Sequence, residues 1–202
     1  MGRPASFDPI VVAVSAPRHR QNDLERLATV AAERHRVILL ESYPYYFQPQ
    51  TREMLALLRG GAIGTVQSVQ ACFGFTLPSS EDNIRMKPDL GGGALLDAGS
   101  YALSLIRLAM EAAPVRMSAE ASWADTGVDI SMMVTLAYAD GRRAQLSCAM
   151  DAAYHRRGTI VGDRGTIDTE FLNTRAHGRP ATATATFRAC CRALRCRQHH
   201  PF

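Results

Sequence analysis

The residues best suited to chemistry stand in one stretch, Leu90-Gly91-Gly92-Gly93-Ala94-Leu95-Leu96-Asp97-Ala98-Gly99-Ser100-Tyr101. A glycine run opens what reads as a helix from about Ala94 to Ala109. Positions i and i+4 share a helix face, so Asp97 and Tyr101 can point into one site. An acid beside a phenol is a pair able to take or give the proton of a substrate hydroxyl. The bland alternative is a helix-start aspartate favoured by the helix dipole, next to a half-buried tyrosine. Gly91 to Gly93 does not read as a phosphate loop, because no Lys-Ser/Thr follows it.

Other chemistry-bearing residues carry weaker signals. Arg85 reads equally as a contact for a substrate or cofactor phosphate and as one partner of a loop ion pair. Tyr45, Tyr46 and Phe47 can line a site, but an interdomain core is the better reading. Cys190, Cys191, Cys196, His199 and His200 crowd the C-terminal end. Their spacing is not that of a zinc site. Cys72 and Cys148 lie in alternating apolar stretches and read as buried small hydrophobes. No spaced disulfide framework is present.

The elements that must position these residues follow in order. Ile10 to Val14 is a short β-branched strand. Asn22 and Glu25 form a capping box for a helix to about His35. Val37 to Leu40 is a second buried strand, which completes a βαβ unit. It carries no Gly-x-Gly-x-x-Gly and no acidic residue placed to hold a ribose. A helix over 51–59 follows. Val69, Ala71, Phe73 and Phe75 then alternate with Ser68, Gln70 and Cys72. Beyond the glycine run come alternating strands at 117–123, 130–138, 144–150, 159–161 and 166–171, with a hairpin signal at Asp140-Gly141. Tight turns between consecutive strands imply antiparallel pairing. The expected fold is α+β: an open, mainly antiparallel β-sheet with helices on one face, preceded by the βαβ edge of a Rossmann domain. Met133, Ala137 and Ala149 fall on the open face, which suggests a second copy of the chain as partner.

The chain has 202 residues, 47% apolar and 21% charged, with net charge +4. Five arginines after residue 176 account for the basic excess. No basic stripe with interleaved aromatics points to nucleic acid. No run approaches the ~20 apolar residues of a membrane span, and Ile10 to Val14 is too short for a signal-peptide core. The expectation is a cytoplasmic protein. Organisation is expected as 1–43, the βαβ edge; 44–175, the sheet domain; and 176–202, a low-complexity Cys/Arg-rich tail without regular structure or a stretch read out of frame.

The order of motifs resembles the Gfo/Idh/MocA oxidoreductases. The matching segments are Leu40-Glu41-Ser42 with Tyr46-Phe47-Gln48-Pro49-Gln50, and Leu58-Arg59-Gly60-Gly61-Ala62-Ile63-Gly64. They continue through Asn83-Ile84-Arg85, Leu90 to Asp97 with Gly99 and Tyr101, Thr126-Gly127-Val128-Asp129, Asp140-Gly141, and Gly162 with Gly165. Tyr101 looks most like the dihydrodiol dehydrogenase branch. The resemblance implies NAD- or NADP-dependent oxidoreduction of a sugar, polyol or diol, with Tyr101 and Asp97 catalytic and Arg85, Tyr46 and Asn83 binding substrate. It also implies a homodimer formed through the open sheet face. The family's lysine, from a Glu-Lys-Pro motif, lowers the pKa of the acid–base residue. Here Pro17 stands at the proline position, preceded by Ser15 and Ala16, and the chain's single lysine is Lys87. No residue is assigned to the cofactor or to a metal. The sequence therefore reads as a truncated or degenerate member, inactive alone, or as a non-catalytic dimerisation or small-molecule binding module derived from the family.

Overall fold

The computed structural model describes residues 11–14, 38–41, 43–78, 83–170 and 186–189, with Val30 and Arg34. β1 (Val11–Val14) and β2 (Ile38–Glu41) form a two-stranded parallel pair, with Val11 opposite Ile38 and Val14 opposite Glu41. Parallel neighbours need a crossover rather than a hairpin, as the βαβ reading requires. The helix expected over 22–35 lies outside the described residues, apart from Val30 and Arg34, which are helical.

A 3₁₀ turn, Pro44–Phe47, leads into α1 (Pro49–Arg59). Each has a proline at its start, where a missing N–H costs nothing, so α1 begins at Pro49 rather than at the expected Thr51. α1 docks partly through polar contacts. Gln50 Nε2 donates to Thr169 Oγ1 at 2.9 Å, and Thr51 Oγ1 donates to the Tyr45 carbonyl at 2.6 Å.

The main sheet has seven strands: β3 (Val66–Thr76), β4 (Arg116–Trp123), β5 (Asp129–Ala137), β6 (Arg143–Ala149), β7 (Asp151–Gly162), β8 (Gly165–Glu170) and β9 (Thr186–Ala189). Their order is β4-β5-β6-β3-β7-β8-β9. Every pairing is antiparallel except that of β3 with β6. β6 and β7 are consecutive in the chain yet lie on either side of β3, against the expectation that consecutive strands pair. Met150, buried between them, accepts from the Leu77 N–H at 2.7 Å, so the chain rounds the end of β3 there. β7 is also far longer than the expected 159–161, because its first half shows no apolar alternation.

α2 (Ser100–Met110) lies on one face of the sheet. Leu105, Ile106 and Met110 pack in one core with Val69, Ala71, Phe73, Leu146, Cys148 and Ile160. The other face of the central strands is open. β4 reaches beyond the helices, which leaves Met117 and Trp123 exposed. Of the tail expected at 176–202, only Thr186–Ala189 is described, as edge strand β9; the rest of it lies outside the described residues. Among the described residues no helix is long and apolar enough to cross a membrane.

Candidate functional site

The site lies on the helix side of the sheet, where the start of α2 meets β3 and β7. Asn83 opens the turn Ile84–Met86, its Oδ1 accepting from the Arg85 N–H at 3.1 Å. Arg85 Nε donates to Asp97 Oδ2 at 2.8 Å, with both side chains about one-third exposed. Arg85 thus forms an ion pair, and its partner is the candidate acid itself.

The expected helix from Ala94 is divided. Leu95–Gly99 forms a π turn before α2 begins at Ser100. Two contacts account for this start. Asp129, projecting from β5, accepts the Leu95 N–H on Oδ2 at 2.6 Å. Gly93, with φ 113°, lets the chain pass over that carboxylate: a Cβ there would lie 2.1 Å from Asp129 Oδ1. Gly99 similarly faces Cys148, whose Sγ would be 3.0 Å from an added Cβ. Single π turns inside helices recur at functional sites, and here the turn carries Asp97.

Tyr101 is held by three rings. It stacks on Phe73 (centroids 4.7 Å, 29°), meets Tyr43 edge-on (5.1 Å, 69°) and lies 6.2 Å from Tyr45. Ser104 Oγ donates to the Tyr101 carbonyl at 2.7 Å and bonds the Tyr45 hydroxyl at 2.5 Å. Burial is the main cause that raises the Tyr101 pKa above the usual 10.0, and the Asp97 carboxylate and Tyr43 add to it; Arg156 and Arg85 oppose the rise. The phenol is therefore neutral at neutral pH. In that state it is a proton and hydrogen-bond donor.

Tyr46 stands at the rim, 39% exposed. Burial raises its pKa and Arg107 opposes the rise. Of the expected aromatic core residues, Tyr45 is buried while Tyr46 and Phe47 are exposed.

Sequence reasoning missed Arg156. It stands on β7 directly opposite Phe73 of β3. Its guanidinium lies 4.4 Å from the Phe73 ring centre, 4.5 Å from that of Tyr154 and 5.5 Å from that of Phe75. The signal that would have found it is strand register, which local sequence does not reveal.

The opposite face carries a shallow basin of about 240 Å³, lined among others by Gln70, Cys72, Met133, Gln145, Ser147 and Arg157. The sheet separates it from Tyr101. Among the described residues no group of His, Cys, Asp and Glu could hold a metal ion. The Cys/His cluster at 190–200 lies outside them.

The open, mainly antiparallel sheet with helices on one face is the expected α+β architecture. Residues 51–168, more than half the chain, match the GFO/IDH/MocA C-terminal domain, and the chain belongs to that family. It is 36% identical over 129 residues to D-xylose 1-dehydrogenase (NADP(+)) 2 of Haloferax volcanii, covering 62% of this chain and 39% of the relative. It is 36% identical over 138 residues to trans-1,2-dihydrobenzene-1,2-diol dehydrogenase of Danio rerio, covering 68% and 41%. Among solved structures, a 3-ketoreductase from Actinomadura kijaniata in complex with NADP and TDP-benzene superposes with TM-score 0.65 at 28% identity, covering 82% of this chain and 53% of that one. The chain spans two-fifths to one-half of the length of the curated relatives it matches.

Proposed function

We propose that this chain forms the substrate-recognition and proton-handling half of an NAD(P)-dependent oxidoreductase acting on a sugar, polyol or diol hydroxyl, or on the corresponding carbonyl. The observation that carries this reading is Tyr101. It is held by Phe73 and Tyr43 beside the Arg85–Asp97 pair, in a chain whose relatives are named for D-xylose and a dihydrobenzene diol. A neutral phenol beside an acid suits donation of a proton from Tyr101 Oη to a carbonyl oxygen, or a hydrogen bond to a hydroxyl. Arg85 orients Asp97, and Tyr46 at the rim and Asn83 in the turn before Arg85 are the further substrate contacts. On this reading the protein works in the cytoplasm, which suits the free thiols of Cys72 and Cys148.

The cofactor would supply hydride. Its cradle does not fit these residues. The one glycine run is filled, since a Cβ at Gly92 would lie 2.4 Å from the Arg85 carbonyl oxygen. The sequence holds no Gly-x-Gly-x-x-Gly, and Ser15 and Ala16 stand where the family's lysine is expected. No residue here is assigned to the dinucleotide. A second reading is a binding or dimerisation module that carries the Tyr101 site. Partnership with a second copy through the open face is supported by exposed Met133.

Calorimetric titration with D-xylose and with a vicinal cyclic diol tests the site. One of them binds, and Tyr101→Phe weakens binding about three- to tenfold, the worth of one hydrogen bond. Equal binding by the chain and by Tyr101→Phe contradicts the reading. Fluorescence titration with NADPH tests the misfit: no change is the expected result, and quenching or enhancement on binding would show that this chain holds the dinucleotide after all.

A further inference from the structure

Four charged or ionisable elements surround the Tyr101 phenol. Asp97, from the π turn, carries a negative charge, and Arg85, from the turn before it, neutralises that charge in an ion pair. Tyr43 and Tyr45, from the segment before α1, are phenols. Arg156, from β7, is the remaining cation. Among the described residues no carboxylate pairs with it, and its Nε is buried with no hydrogen-bond partner. The group is held by rings instead, those of Phe73, Tyr154 and Phe75. A planar guanidinium suits such stacking better than an ammonium does. Phe73 is at once the ring under Arg156 and the ring against which Tyr101 stacks. The two contacts put the Arg156 charge within about 9 Å of the Tyr101 ring, close enough in a partly dry site to act on the phenol.

We propose that Arg156 is a positioning residue for Tyr101: its guanidinium, held on Phe73, is the unneutralised positive charge that favours release of the Tyr101 proton and offsets burial of the phenol. Asp97 acts on Tyr101 against release of its proton even though it is paired with Arg85, so Arg156, standing on the far side of Phe73, is the cation at the site that no carboxylate among the described residues engages. The direction in which Arg156 acts on Tyr101 agrees, since it opposes the rise caused by burial. The catalytic meaning of this contact rests on the acid–base role proposed for Tyr101; the contact itself does not.

The test uses the full chain with no sugar or nucleotide present, so its outcome is independent of whether a substrate binds. Tyrosinate absorbance is followed against pH in the chain and in Tyr101→Phe, and the difference isolates Tyr101. The same difference is taken in an Arg156→Met and an Arg156→Lys background. Arg156→Met moves the Tyr101 midpoint up by about half to one pH unit. Arg156→Lys, which keeps the charge and loses the stacking, recovers most of the shift. Rates of Tyr101 nitration by tetranitromethane, resolved by mass spectrometry at about pH 8, give a second readout well below any alkaline unfolding. Because nitration proceeds through the phenolate, Arg156→Met slows it about three- to tenfold and Arg156→Lys restores it. Equal midpoints and equal nitration rates in all three backgrounds overturn the proposal. So does an equal effect of Met and Lys, which would make Arg156 a packing residue only.

Discussion

Tyr101 and Cys148 show how burial sets the chemistry of single residues. Both are ionisable groups packed near the start of α2, and both are held in their neutral forms. The Cys148 thiol is 1% exposed, and burial, aided by the Asp129 charge, pushes its pKa from 9.0 up to about 12. A group whose pKa is raised on folding keeps its proton in the native state while the unfolded chain releases it. Its stabilisation is complete below the unfolded pKa and is lost as pH rises through the folded one. Urea midpoints should therefore be flat up to about pH 9 and fall above it, by on the order of 1 kcal/mol between pH 9 and 10 from Cys148 alone. Buried Tyr45 and half-buried Tyr101, both raised above 10.0, extend the fall to higher pH. Cys148→Ala should flatten the first part of the decline, and an unchanged pH profile in that variant would contradict the assignment. The ion pair is a different case. Arg85 and Asp97 are each about one-third exposed, so Asp97→Ala should change stability by under ~1 kcal/mol in urea unfolding. On the proposed function, its effect falls on ligand binding.

The elements show where sequence reading succeeds and where it stops. β3, β5 and β6 alternate apolar and polar residues with one face covered by helices, and their periodicity placed them. The parallel β1–β2 pair follows from two β-branched runs on either side of a helix-length spacer. β7 was hidden. Its first half, Asp151 to Arg157, holds two alanines among polar, charged and aromatic residues, and all of it is exposed or half-buried rather than in the aliphatic core. Arg156 went unseen for the same reason. Strand register is a tertiary property, and only the β3–β7 ladder sets Arg156 opposite Phe73. The glycine run was legible as a helix start, but its geometry was not. The π turn depends on Asp129, more than thirty residues later in the chain, accepting the Leu95 N–H. Gly93→Ala is accordingly expected to cost about 2–4 kcal/mol, from a strained φ together with a Cβ driven onto the Asp129 carboxylate. Urea unfolding measures this, and a loss below ~0.5 kcal/mol would show that the turn adapts.

At the scale of the whole molecule, the sheet divides two surfaces of different character. The helix side holds Tyr101, Asp97, Arg85 and Arg156. The open side holds Met133, 68% exposed, and the basin bordered by Gln145 and Ser147. If the open side pairs two copies, sedimentation at tens of micromolar should give a dimer. Met133→Lys, which puts like charges face to face, should give a folded monomer. A monomer from the unaltered chain would contradict the pairing. The central claim is that ligand recognition belongs to the helix side. Amide chemical-shift mapping on titration with D-xylose or the cyclic diol tests it most directly. Shifts gathered at residues 73–75, 85, 97–101 and 156 are the predicted result. Shifts gathered on the open face at Gln70, Gln145 and Ser147, or no shifts with either ligand, would contradict it.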